Sequence, residues 1–280
     1  MAKKTATRYS EYHRNNLIFK VIDTGPIDGK PVILLHGFPE TAHSWQATSE
    51  ILNQHNFRTF AIEQRGYSLT AAPKGRFQYS IGELVADVKA FIDLLGKPVY
   101  VIGHDWGSIV ACELALQYPN LVKHLTLVSV PHTGAFLKAM LSSTQIFTSY
   151  YIGFFQLPFI PELLFKRAKT LSHFLLKNSG MNTAQINDFQ QYFVQEDRIG
   201  AAINWYRSMP LAPIRSTFKK VKVPALFIWG NQDIAIGKKS AQLNKQFFAG
   251  PYQEVHLDAT HWIPVQNAEQ LSHYFLKAVN

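Results

Sequence analysis

The apolar run Val99-Tyr100-Val101-Ile102 leads directly into Gly103-His104-Asp105-Trp106-Gly107. Such a run reads as a buried strand, and glycines two residues before and two after one polar position mark a sharp strand-to-helix turn. This elbow restricts the fold, because its strand belongs in a mostly parallel sheet whose following helix packs back on it. Asp105 stands at the tip. An aspartate there has two uses: it caps the helix that follows, or it presents a nucleophile at the sheet edge. A carboxylate nucleophile displaces a leaving group from carbon and becomes an alkyl ester of the protein. Its partners are therefore epoxides or alkyl halides rather than simple esters.

The rest of the chain repeats the strand–helix rhythm. Strands are expected over residues 17–22, 31–35, 58–62, 99–102, 125–130, 225–229 and 254–257. Leu84, Val85, Val88, Phe91, Ile92 and Leu95 recur at helical spacing over 81–95, and Ser80 with Glu83 three residues on has the pattern of a capping box. A second helix is expected from Trp106 to about Gln117, ahead of Pro119. The rhythm stops after Val130 and resumes near Pro213. Between them lie helical, aromatic-rich segments punctuated by Pro158, Pro161, Gly180, Pro210 and Pro213. The simplest organisation is an α/β core of residues 1–130 and 214–280, with helices on both faces of its sheet. A helical lid of residues 131–213 is inserted over the carboxyl edge of the strands, where open α/β sheets bind ligands.

Charge raises one competing function. From Pro131 to Lys222 there are eleven basic and four acidic residues, so this stretch carries seven of the net nine positive charges. A basic bias is a footprint of nucleic-acid binding. No binding motif accompanies it, and the cations stand in short groups between apolar stretches, so a solvated basic face is expected and nucleic acid is not an expected partner. No apolar run approaches the ~18 residues that cross a bilayer, and the basic N-terminus has no apolar stretch behind it to make a signal peptide. The single cysteine, Cys112, falls in a core helix and has no disulfide partner, which fits a cytoplasmic setting. The sequence carries no signature of oligomeric state.

A nucleophile needs a base and a group that orients the base. In elbow enzymes these follow in the order nucleophile, acid, histidine. Gly230-Asn231-Gln232-Asp233 follows the 225–229 strand, and Asp258-Ala259-Thr260-His261-Trp262 follows the last one. Asp233 and His261 thus fall on loops at the same sheet edge as Asp105. His36-Gly37-Phe38-Pro39-Glu40 follows the 31–35 strand, and the backbone N–H groups of Phe38 and Trp106 are the candidate oxyanion hole. His36 itself is expected to brace its loop.

With these residues assembled, the chain resembles soluble epoxide hydrolases of the α/β-hydrolase superfamily over nearly its whole length. The likeness rests on His36-Gly-Phe-Pro-Glu40, Arg65-Gly66-Tyr67, Gly103-His-Asp-Trp-Gly107, Asp233 and His261-Trp262. It also rests on two lid segments, Tyr151-Ile-Gly-Phe-Phe-Gln-Leu-Pro158 and Asn204-Trp-Tyr-Arg207. The resemblance implies that Asp105 is the nucleophile, His261 the base and Asp233 its acid. It implies a ring-opening pair, Tyr151 and Tyr206, with Tyr150 the neighbouring alternative to Tyr151. It also implies a small hydrophobic epoxide and water as partners, with no cofactor and no metal.

The chemistry points the same way. Ring opening leaves an alkoxide, and phenols with a pKa of about 10 stay protonated at neutral pH to donate to it. Phe38, Trp106, Tyr150, Phe154 and Phe155 are expected to line the substrate site. Further lining is expected from Phe136, Ile146, Phe147, Leu157, Phe159, Leu163 and Leu164 of the lid. Departures from the family pattern are Glu63-Gln64 ahead of Arg65, Ser68, Ser108 and Thr260. The nearest alternative is a haloalkane dehalogenase, which shares the aspartate and histidine but carries asparagine where this chain has Phe38. A non-catalytic, ligand-binding use of the fold is a third reading, and it leaves Asp233 behind His261 without a purpose.

Overall fold

The computed structural model describes residues 7–211 and 217–280. Its strands are β1 (Glu11–Arg14), β2 (Leu17–Thr24), β3 (Lys30–Leu35), β4 (Phe57–Ile62), β5 (Val99–His104), β6 (Val122–Val128), β7 (Ala225–Gly230) and β8 (Tyr252–Leu257). They form one sheet in the order β1-β2-β4-β3-β5-β6-β7-β8. Pairing is parallel from β4 to β8, while β1 and β2 add an antiparallel edge. The central strands are buried along both faces, which is why their sequences are continuous apolar runs rather than alternating ones.

Helix α1 (Gln46–Gln54) and the last helix, Ala268–Val279, cover one face, burying Leu52, Leu271 and Phe275 against Val32, Leu34 and Ile102. Helices α2 (Ile81–Leu95) and α3 (Trp106–Gln117) cover the other, where Val88, Phe91 and Val110 meet Ile33, Leu35 and Val101. Cys112 is buried within α3.

Three local expectations are corrected. Strand β1 has no counterpart in the sequence reading, since Glu11-Tyr-His-Arg14 is short and mostly polar, and only Tyr12 is buried. Strand β6 begins and ends earlier than expected, because Ser129 turns the chain at φ 66° and donates its hydroxyl to the His261 carbonyl, 2.7 Å away. The capping box at Ser80 does not form. Ser80 is the N-cap residue but makes no side-chain cap bond. Glu83 instead meets Arg14 at 2.7 Å and Arg65 at 3.4 Å. A nearly buried guanidinium in need of anions outcompetes a local cap.

Between β6 and β7 lie α4 (Thr133–Ser142), α5 (Gln145–Thr148), α6 (Tyr150–Phe154), α7 (Ile160–Arg167), α8 (Lys169–Asn178), α9 (Thr183–Phe189) and α10 (Ile199–Ser208). The expected boundary at 213/214 and Arg215 lie outside the described residues. No helix among the described residues is long and apolar enough to cross a membrane.

The helical layer is tied to the core by specific bonds. Trp205 on α10 donates its indole N–H to the Arg65 carbonyl at 2.7 Å, and Ser208 donates to the Tyr79 carbonyl at 2.7 Å. Arg65 is in turn held by a two-pronged contact to Asp87, with both N–O distances 2.7 Å. Removing one partner of a buried pair strands the other charge, at a cost of about 3–5 kcal/mol. Asp87→Ala is therefore expected to lower the stability by about that amount in urea unfolding. A loss within experimental error would mean that Glu83 alone suffices for Arg65.

Candidate active site

Asp105 sits at the junction of β5 and α3 with φ 52° and ψ −119°, a conformation rarely taken by a residue with a side chain. The flanking glycines make the turn possible. A Cβ at Gly103 would lie 2.2 Å from the Gly107 carbonyl oxygen, and one at Gly107 would lie 2.0 Å from that of Leu35. The Asp105 side chain caps nothing. Its Oδ1 accepts the Phe38 N–H at 2.8 Å, and its Oδ2 lies 3.5 Å from Nε2 of His261. The Trp106 N–H makes no hydrogen bond to this carboxylate, so one of the two expected backbone donors reaches it.

The carboxyl ends of β7 and β8 bring the next two residues in. Nδ1 of His261 is 2.7 Å from Oδ2 of Asp233. Asp233 is fixed through its other oxygen, which accepts the N–H groups of Ala235 at 2.8 Å and Ile236 at 2.9 Å. The His261 carbonyl receives His104 Nε2 at 2.9 Å besides Ser129, and His104 Nδ1 lies 2.8 Å from Oε2 of buried Glu40. The histidine is therefore held through both ring and backbone.

Burial alone would lower the His261 pKa, but the carboxylates of Asp233 and Asp105 outweigh it and push it up to about 10. Burial alone would raise the Asp105 pKa, and its contact with His261 turns the net shift downward. In the resting site the two are an ion pair. His36 stands apart from this chemistry. Its Nδ1 is 3.1 Å from the Gly37 carbonyl and its Nε2 accepts the Gln64 N–H, while burial pushes its pKa down to about 4. A neutral imidazole that braces the loop is the result.

Two cavities meet at Asp105. The larger, about 610 Å³, is walled by Phe38, Tyr151, Phe154, Phe155, Trp262 and their neighbours. The smaller, about 40 Å³, is bounded by Trp106, Ile109, Phe136, Ile152 and Met209. Asp105, Tyr151 and Tyr206 border both. The Tyr151 and Tyr206 rings are 6.0 Å apart, and Tyr206 packs edge-on against Trp106 at 5.1 Å and Phe38 at 5.5 Å. Burial first, and then the nearby Asp105 charge, raise both phenol pKa values, so both hydroxyls keep their protons. Tyr150 also borders the large cavity but is 67% exposed, at the rim.

Sequence reasoning overstated the lining and missed parts of it. Phe136, Phe147, Phe154 and Phe155 border a cavity, but Ile146, Leu157, Phe159 and Leu163 face solvent and Leu164 packs against the core. The apolar count of a lid does not say which side each residue takes. Leu175, Leu176 and Ile234 are lining residues the sequence did not mark. The supports Glu40–His104 and Ala235–Ile236 were also missed, although Glu40 and His104 flank residues already singled out. No group of histidine, cysteine or acidic residues among the described residues is arranged to hold a metal ion.

Comparison with known proteins bears on the fold and the family. A model of the alpha/beta hydrolase fold matches residues 30–268. Epoxide hydrolase 2 of Caenorhabditis elegans is 31% identical over 277 residues, covering 95% of this chain and 78% of that protein. Human epoxide hydrolase 4 is 32% identical over 250 residues, covering 84% and 68%. Among solved structures, an epoxide hydrolase of Vigna radiata superposes with a TM-score of 0.77 at 26% identity, covering 96% of this chain and 97% of that one.

The paired charges make a measurable claim about His261. Its imidazolium is expected to persist to about pH 10 in NMR titration. Asp105→Asn removes one of its two carboxylates and is expected to bring the pKa down. Because folding raises this pKa, the stability it contributes is full below about pH 6.5, the unfolded value, and fades as the pH climbs to about 10. An unchanged pKa in the variant would mean that Asp105 does not act on the ring.

Proposed function

The chain belongs to the epoxide hydrolases of the α/β-hydrolase fold family, and on that footing we propose that it converts apolar epoxides to vicinal diols through an ester on Asp105. Oδ2 of Asp105 attacks one ring carbon while the ring C–O bond breaks toward the oxygen. Tyr151 and Tyr206 donate to that oxygen, and one of them gives up its proton as the alkoxide forms. The alkyl ester has no charge, so His261 loses one of the two carboxylates that held its proton. That proton passes to the tyrosinate, which restores the phenol and leaves a neutral imidazole able to act as a base. His261 then takes a proton from water as the water oxygen joins the Asp105 carboxyl carbon. The Phe38 N–H steadies the oxyanion. Collapse breaks the ester C–O bond, and the departing oxygen takes the second proton of the water to complete the diol. One water-derived oxygen stays in the Asp105 carboxylate, and the proton kept on His261 restores the resting ion pair.

The observation that carries this reading is the orientation of Asp105. Its carboxylate serves no helix cap, lies against His261 and borders the same two cavities as the lid tyrosines. Phenol donors suit an alkoxide, whereas a halide needs no proton, and Phe38 stands where dehalogenases carry asparagine. The unequal cavities favour an epoxide with one long apolar substituent, its other carbon carrying little more than a methyl group. In this reading residues 131–213 form the lid. A reducing, cytoplasmic setting completes the proposal, supported by a lone Cys112 whose thiol burial pushes toward its protonated form.

A single turnover in heavy-oxygen water tests the ester. Label is expected in Asp105, and His261→Gln is expected to accumulate a protein adduct of substrate mass. Label found only in the diol would overturn the mechanism. The tyrosines have their own test. Tyr206→Phe is expected to slow adduct formation by about 100-fold, the lower range for general-acid assistance, and removal of both hydroxyls to nearly stop it. A double variant that kept most of its alkylation rate would exclude them as proton donors.

A further inference from the structure

The lid exposes more apolar surface than its cavity uses. Phe147, Tyr150, Leu175 and Ile234 border the large cavity and are also exposed, Phe147 by 76% and Ile234 by 57%. Residues that do both form the rim of its mouth. The apolar surface continues outward along α8. Leu171, Phe174 and Leu175 share one helix face at i, i+3 and i+4 and all three are exposed, while Ser172 and Leu176 take the buried side. A helix that needed only to cover a core would be polar on that outer face.

The charges carried by this stretch are nearly all of one sign, although Lys166 is answered by Asp197. Glu162 is the only acid from Thr133 to Asn178, and it is occupied by Arg207 at 2.6 Å and 3.0 Å. Arg167, Lys169 and Lys177 are exposed on α7 and α8, in the same stretch as the apolar face. Apolar side chains in a stretch whose exposed cations Arg167, Lys169 and Lys177 have no ion-pair partner among the described residues suit a surface that is apolar within and anionic at its boundary. A second copy of this chain would fit poorly, since a twofold lid-to-lid contact would set these cations against themselves.

We infer that the lid face around the cavity mouth docks on an anionic lipid bilayer, with the mouth opening into the apolar layer. Lipophilic epoxides dissolved in the bilayer would then reach Asp105 without crossing water. That purpose rests on the proposed function, but docking itself requires no turnover and is measured separately.

The test is co-flotation of the full chain with vesicles of phosphatidylcholine alone or mixed with phosphatidylserine. Binding is expected on the mixed vesicles, little on the neutral ones, and less as salt rises. Two double variants avoid every residue that borders a cavity. Arg167→Glu with Lys169→Glu is expected to weaken vesicle binding by about 10-fold or more, given the contribution of each cation near such a surface. Leu171→Ser with Phe174→Ser is expected to weaken it comparably, and both double variants should keep the wild-type circular dichroism and hydrolysis of a water-soluble epoxide. Equal binding to both vesicle types overturns the inference, as does binding indifferent to either pair of substitutions. A dimer broken by Leu171→Ser with Phe174→Ser, without vesicle binding, would assign the face to a second copy instead. If docking held while epoxide hydrolysis were absent, the surface would stand and the reading of Asp105 would fall.

Discussion

A carboxylate taken out of water at the tip of a left-handed turn is unstable on two counts, and everything around Asp105 answers one or the other. Its backbone conformation is tolerated because Gly103 and Gly107 let β5, α3 and the end of β3 approach within the space a side chain would fill. Its charge is tolerated because the Phe38 N–H and His261 stand against its two oxygens. His261 is itself costly to bury as a cation, and Asp233 offsets that cost while two backbone N–H groups steady Asp233. Three loops at one edge of the sheet are thus bound to a single ionised group.

The lid depends on the same edge. Gln145 on α5 reaches the loop that carries Asp233, donating to the Ala235 carbonyl at 2.6 Å and accepting from Gly237 and Ser240. Trp262, next to His261, donates to the Ser179 carbonyl after α8 at 2.8 Å. Trp205 binds the Arg65 carbonyl on the opposite side. The phenols of Tyr151 and Tyr206 are positioned by these three attachments, and each attachment lies within two residues of a group in the site or is held by the Arg65–Asp87 pair. Core and lid are one unit at this edge.

What the sequence disclosed follows from the range of the interactions involved. The elbow around Asp105, the helix over Ile81–Leu95 and the buried strands are local patterns, and each is readable within a dozen residues. The order of Asp105, Asp233 and His261 on strand-end loops was readable because a parallel sheet delivers every such loop to one edge. The displacement of Glu83 from its cap and the pairing of Glu40 with His104 were not readable, because each depends on a partner far along the chain. Strand β1 was not readable because it is short and mostly polar, although its partner β2 follows directly. The lid was the hardest part. Its helices are short, and its apolar residues divide between the cavity wall, the core and an open outer face, so composition alone could not separate Phe154 from Phe159.

The wall of the large cavity is mostly hydrocarbon, and besides Asp105, His261 and the tyrosines its polar side chains are the small hydroxyls of Thr144, Thr148 and Ser179. A molecule that enters with one ether oxygen and acquires two hydroxyl groups therefore changes its standing in that chamber. Inside the chamber the new hydroxyls find few polar partners, while bulk water offers each of them several. The surface that retains the starting material is inhospitable to what is made from it. In such a chamber solvation favours departure of the product over its retention.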